Sequence, residues 1–179
     1  MERPNPRRMD SGRLWEYALK LLGGRAHSIG ELREKLRRRA ERETDVEDVL
    51  ARLKEHGYLD DRRFAESYAS ARLSNDRLGR TRVIRDLRRH RIAPALAERT
   101  VEQVYRDTDE SALIEEWVRR KYRLAPREGL FQEDKDLASA YRRLLNAGFR
   151  TGEIIRVLKR FAKNPELLDQ FEPPPEEGE

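Results

Sequence analysis

A chain of 179 residues has room for one or two small domains or a short series of repeats. Charged residues make up 41% of it and the mean hydropathy is -0.97, yet 39 basic against 34 acidic residues leave a net charge of only +5; since apolar residues also recur in period, folded helices with charged exteriors are expected rather than disorder. The lack of cysteine excludes disulfides and thiolate metal sites. No apolar run approaches the roughly 20 residues of a membrane span, and the opening "MERPNPRRMDSGR" has no signal-peptide stretch, so a cytoplasmic protein that contacts no membrane is expected.

Residues 1–12 hold two prolines, a glycine and no periodicity, and read as a disordered lead. A helix "RLWEYALKLL" follows, ended by Gly23 and Gly24, which lack the Lys-Ser/Thr of a phosphate loop. Ser28 with Glu31, and Thr44 with Glu47, have the spacing of capping boxes and predict two more helix starts on either side of the joint "RRRAERETD". Asp60 and Asp61 are adjacent carboxylates placed to cap a helix beginning near Arg62, "DDRRFAESYASARL". Next come "LGRTRVIRDLRRHRI", the joint "RRHRIAP" and a helix with Pro94 at its first position. "SALIEEWVRRKY", the linker "RLAPREGLFQED" and a helix pair around "LNAGFRT" complete the periodic part. From 165 onward six acidic residues, no basic ones and the run "EPPPEEGE" make an acidic, proline-containing tail.

An internal frame organises these segments. With Leu36, Leu87 and Leu144 in register, the residue four earlier is Leu32, Val83 or Ala140, and those ten, fourteen and seventeen later are Val46, Ala97, Ile154; Leu50, Val101, Leu158; and Leu53, Val104, Phe161. All are apolar, and the offsets describe two helical faces separated by a joint. The expectation is an all-α protein of three tandem three-helix repeats, 13–58, 59–107 and 108–164, forming an elongated, curved array. Trp15, Phe64, Tyr68 and Trp117 lie on the first helix of each repeat and read as core anchors.

No constellation points to catalysis, a cofactor or a metal. His27, His56 and His90 each stand beside a helix end, where histidine commonly caps. The arginines are distinctive: residues 62–91 hold ten arginines against three acids. On "LGRTRVIRDLRRHRI", Val83, Ile84 and Leu87 form the buried stripe while Arg82, Arg85 and Arg89 share another face, flanked by Arg80, Arg88 and Arg91, with Arg72 ending the preceding helix. A second cluster, Arg33, Lys35, Arg37, Arg38, Arg39 and Arg42, is interleaved with Glu31, Glu34 and Glu41, which are expected to neutralise it.

The stretch from Leu59 to Ile92 resembles the RecX family, bacterial regulators of the RecA recombinase. Leu59, Asp60, Asp61, Phe64, Ala65 and Tyr68 match its L-D-D-x-x-F-A-x-x-(Y/W) helix, and Gly79, Arg82, Val83 and Leu87 match its G-x-x-(R/K)-(I/V)-x-x-x-L helix. The likeness extends through "ALKLLGGRAHSIGELREKLRRR" and "LLNAGFRTGEIIRVLKRF", covering roughly 14–163. Of the family's Lys-Gly-aromatic turn after the middle helix, only the third repeat keeps Gly148 and Phe149.

The resemblance implies a non-enzymatic, monomeric protein without cofactors that binds the RecA filament on single-stranded DNA, is compatible with weak direct DNA binding, and mostly inhibits the filament's ATPase and strand exchange, a role in DNA repair, homologous recombination and the SOS response. Arg72, Arg80, Arg82, Arg85, Arg88, Arg89 and Arg91, with Arg33, Lys35 and Arg37, would then be the docking face for the filament and its DNA. The rival reading is a stand-alone helical DNA-binding protein. A single-strand binder interleaves rings with its cations, and residues 72–91 contain no aromatic residue.

Overall fold

The computed structural model describes residues 8–122, 131 and 133–170. Most of the linker 123–134, the first seven residues and residues 171–179 lie outside the described part; of the expected tail 165–179, Pro165–Gln170 is packed, with Leu168 buried in the core and Asp169 paired with Lys159. Regular structure within it is helical: α1 (Ser11–Gly24), α2 (Ile29–Arg37), α3 (Glu43–Glu55), α4 (Asp61–Ala71), α5 (Arg80–Arg89), α6 (Pro94–Val104), α7 (Glu110–Tyr122), α8 (Asp134–Asn146) and α9 (Thr151–Lys159). A π-helical turn, Arg72–Asp76, continues α4, and a 3-10 segment, Pro165–Gln170, follows α9. Isolated bridges join Met9 to Ala40 and Phe131 to Ala162. The all-α, repeated three-helix fold expected from the frame is the fold adopted.

The frame is what gets buried. Fourteen of its fifteen positions are core residues, and the exception is Val104, which stays partly exposed. The next residue takes its place: Tyr105 is 1% exposed and its hydroxyl donates to the Leu78 carbonyl at 2.8 Å. The ring reaches from just beyond α6 to a depth that valine cannot, and the hydrogen bond satisfies its polar end.

Two compact units emerge, and the middle repeat contributes to both. The first comprises the chain up to Ala69 with Arg85–Val101; α1, α2 and α3 enclose Leu14, Leu32, Leu36, Val46, Leu50 and Leu53. The second comprises Ser70–Ile84 with the chain from Glu102; α7, α8 and α9 enclose Ile114, Val118, Leu137, Leu144, Ile154 and Leu158.

Helix starts follow local chemistry in part. The Ser28–Glu31 capping box forms with both hydrogen bonds, and Pro94 opens α6 as expected. The Thr44–Glu47 box does not form: α3 starts at Glu43 after Arg42, without a side-chain cap, and Glu47 binds Arg33 instead. Asp60 caps its own helix, accepting from the Arg62 and Arg63 amides at 2.9 and 3.1 Å. Asp61 turns away and accepts from the Ile29 amide at 2.8 Å, capping α2 from 32 residues away.

The turn after each middle helix does a further job. His90 and Ala147 both stand three residues beyond the frame leucines Leu87 and Leu144, and each presents its carbonyl to the start of the preceding middle helix. In the first unit Ser28 Oγ donates to the His90 carbonyl, and Gly30 faces Arg91, which adopts a left-handed φ of 61°. In the second unit the Gly79 amide donates to the Ala147 carbonyl at 2.8 Å and the Thr81 amide to the Gly148 carbonyl at 3.1 Å. The corresponding carbonyl after α2 belongs to Arg39 and accepts from the Met9 amide at 2.7 Å, while Met9 returns a carbonyl to the Glu41 amide. The lead is therefore placed from before residue 12: Met9 is paired and Asp10 caps α1.

Gly148 combines a φ of 87° with backbone contact, since a Cβ there would lie 2.2 Å from the Arg82 amide nitrogen, whereas Gly57 has a φ of 70° and open space around it. Gly57→Ala should cost about 1–2 kcal/mol from conformation alone. Gly148→Ala should add an overpacking cost of roughly 1–3 kcal/mol. Urea unfolding checks the pair, and equal losses would contradict the close approach at Gly148.

Candidate docking surface

Helix α5 buries Val83 and Leu87 completely and leaves its other faces to arginine. In the second unit, Arg80 is only 18% exposed: it donates to the Tyr105 carbonyl at 2.6 Å, pairs with Glu102 at 2.9 Å and lies over the Tyr105 ring. It holds α5 to the end of α6. Arg82 donates to the Asn146 carbonyl at 3.2 Å, and Arg72 pairs with Asp76 inside the π-helical turn. In the first unit, Arg88 pairs with Glu98 at 2.6 Å and Arg91 with Glu34. Arg89 is 67% exposed and only 3.5 Å from Asp86 at its closest. Arg85 is exposed and has no hydrogen bond or ion pair among the described residues. Of the arginines read as one face, Arg85 and Arg89 are the most available.

The first cluster is neutralised, though largely by other acids than expected. Arg33 forms a bidentate pair with Glu47 at 2.9 and 3.1 Å, Arg37 pairs with Glu43 at 2.5 Å, Arg38 with Glu34 at 2.5 Å and Arg42 with Asp45 at 2.9 Å. Three of these four carboxylates come from α3. Lys35 is half-buried without an ion pair among the described residues. Glu31, read as a neutraliser of this cluster, instead accepts from Arg25 at 3.2 Å and from His90 Nδ1 at 2.9 Å. Burial alone would raise its pKa, but the hydrogen bonds from Arg25 and His90 outweigh burial and hold it at about 2.

Of the three histidines, His56 caps α3 as expected. His90 is a partner of Glu31, flanked edge-on by the Phe64 and Tyr68 rings at 5.4 and 5.0 Å. His27 is buried, and its Nδ1 lies 3.4 Å from Glu31 Oε2 without a well-formed hydrogen bond. Burial, with Arg25 nearby, pushes its pKa below the usual value. Sequence spacing could not announce this cluster, because Glu31 and His90 are 59 residues apart.

Beside the cluster, within the first unit, opens a cavity of about 540 Å³ lined by Leu22, His27, Tyr58, Arg63, Phe64 and Tyr68. Phe64 and Tyr68, read as core anchors, line this cavity, whereas Trp15 and Trp117 pack partly buried against the cores. Among the described residues no group of three or more His, Asp or Glu is placed to hold a metal ion, and no helix is long and apolar enough to cross a membrane.

Tandem three-helix repeats, joined turn to helix start and carrying an arginine-rich middle helix, define a class of modular helical proteins. Comparison with known proteins gives the family. The family model for the first three-helix domain of RecX matches residues 15–53, and that for the second matches 60–101. The regulatory protein RecX of Deinococcus radiodurans is 34% identical over 185 residues, covering 99% of this chain and 78% of its own. That of Salmonella arizonae is 31% identical, covering 90% and 99%. The crystal structure of RecX from Lactobacillus salivarius superposes with a TM-score of 0.66 over 84% of this chain and 96% of that one, at 17% identity, a likeness of fold. The chain belongs to the RecX family of regulatory proteins.

Glu31 makes the first unit acid-sensitive. With its pKa at about 2 against an ordinary 4.5, its ionised contacts stabilise the fold fully above pH 4.5, and that contribution is lost as the pH falls toward 2. Glu31→Gln should lower the melting temperature at pH 7 and flatten its decline between pH 4.5 and 2. Thermal melts over that range check it, and an unchanged acid slope would contradict the assigned contacts.

Proposed function

We propose that this protein binds the RecA recombinase filament assembled on single-stranded DNA and restrains its ATPase and strand-exchange activities, acting as a cytoplasmic monomer in recombinational DNA repair and the SOS response, without enzymatic activity of its own. Membership of a family of regulatory proteins supports the reading. The observation that carries it to particular residues is Arg85 with Arg89, exposed cations near the end of α5 with little or no neutralisation. A filament of protein and DNA is a polyanion, and unneutralised guanidinium groups gain most from meeting one. Arg72, Arg80, Arg82, Arg88 and Arg91 support this face by holding its turns and by adding to the local field. Arg33, Lys35 and Arg37 are weaker contributors, since α3 already supplies carboxylates to both arginines.

Co-sedimentation with RecA filaments, with and without single-stranded DNA and a slowly hydrolysed nucleotide, tests the reading, together with the DNA-dependent ATPase. Co-sedimentation with the recombinase should require the filament, and ATP turnover should fall. Charge reversal at Arg85 and Arg89 should weaken binding at least ten-fold more than reversal at Arg33 and Arg37, with matched circular dichroism. If the contacts reach phosphates, affinity should also fall with salt by about 0.7 log unit per contact on a single strand. No effect on the ATPase at saturating protein would overturn the proposal.

A further inference from the structure

The first unit carries a run of rings and cations that the arginine-rich helix lacks. Arg52 lies 4.3 Å over the Trp15 ring, Trp15 meets His56 edge-on at 5.8 Å, and His56 is 6.2 Å from Tyr58. Tyr58 is 54% exposed, the large hydrophobic side chain most open to solvent among the described residues, and it borders the cavity of about 540 Å³. On the far side Phe64 and Tyr68 are near-parallel, 15° apart, and both contact the His90 ring. A hollow lined by aromatic rings and a few polar groups, with one ring open at its edge, has the make-up of a ligand site.

Charge selects the occupant. Arg52, Arg62 and Arg63 are exposed and have no carboxylate partner among the described residues. Arg63 uses one Nη2 donor on the Gly57 carbonyl, and its remaining N–H groups are available. Asp60, the carboxylate of the cavity wall, is already accepting from the Arg62 and Arg63 amides. Alternating rings and cations around an apolar hollow is how proteins hold unpaired nucleotides: the cations follow the phosphates while the rings stack on bases, whatever the sequence. His27 and Ser67 place polar groups in the wall against which a base edge can rest.

We propose that the Tyr58 cavity binds an unpaired nucleobase of a single-stranded nucleic acid, with Tyr58 as the stacking ring and Arg62 and Arg63 on the adjoining phosphates. The site goes beyond the filament reading, because the strand is recognised by this chain alone and through the first repeat rather than through α5.

The test is fluorescence anisotropy of the full-length protein with a labelled oligothymidylate and with an abasic oligonucleotide of equal length and charge, in the absence of recombinase. The unaltered protein should bind the thymidylate strand at least ten-fold more tightly than the abasic strand. Tyr58→Ala should lower thymidylate affinity roughly ten-fold to a hundred-fold, to the abasic level, and leave abasic binding unchanged; Tyr58→Phe should restore it. Arg62→Gln should weaken both strands and reduce the salt slope by about 0.7. Equal affinity of the unaltered protein for the two strands would overturn the proposal whatever the variants do, and would leave the cavity as a contact for protein. Because recombinase is absent, failure here is separate from failure of filament co-sedimentation, which is read with Arg85 and Arg89.

Discussion

The carbonyls left over at the end of each middle helix hold the repeats together. An α-helix ends with backbone acceptors that have no partner inside it and begins with donors in the same condition. Joining the end of one middle helix to the start of another satisfies both sets at once and sets opposite ends of two helix dipoles against each other. His90, Ala147 and Gly148 supply the acceptors; Gly79 and Thr81 donate backbone amides and Ser28 its hydroxyl. The approach is so close that small residues are needed where backbones meet, which is the physical reason for Gly30 opposite Arg91 and for Gly79 opposite Gly148. The cores can be assembled from any apolar residues of suitable size, but the joints tolerate few.

Charge is organised by the same geometry. The pairing of α2 with α3 brings Glu43, Asp45 and Glu47 against the arginines of the first repeat, so that cluster is largely balanced within its own three helices. In the middle repeat α6 offers Glu98 and Glu102, which engage Arg88 and Arg80. Those pairs leave Arg85 and Arg89 with little or no compensation. Unequal neutralisation, rather than arginine content, distinguishes the two helices, and exposed pairs of this kind contribute little to stability.

Much of this architecture was legible from period. The fifteen-position frame identified the core except at one position, where a tyrosine one residue later fills the space better than Val104. Capping at Ser28, Asp60 and Pro94 was equally legible, because it depends on neighbours in sequence. What escaped was long-range: Asp61 capping α2, Glu47 drawn to Arg33, and Glu31 drawn to His90. A carboxylate near a helix start satisfies the sequence pattern of a local cap whether or not the folded chain offers it a better donor. The arginine face was legible as a composition, but its division into holding residues such as Arg80 and available ones such as Arg85 depends on exposure, which no spacing encodes. The aromatic residues misled in the other direction, since helical spacing marks Phe64 and Tyr68 as core anchors and they instead line an open cavity.

A joint whose two sides differ has no built-in stopping point, because every copy that donates a helix start still presents a carbonyl-bearing turn of its own. At the turn after α2, Met9 occupies the Arg39 carbonyl in the way Gly79 occupies that of Ala147. In the third repeat, α8 begins at Asp134, ten residues before Leu144, whereas α2 and α5 each begin seven before their frame leucine. The joints thus depend on a few residues at helix starts and turns, so joining or separating such modules, in a lineage or on the bench, turns on editing those residues while the cores are left alone.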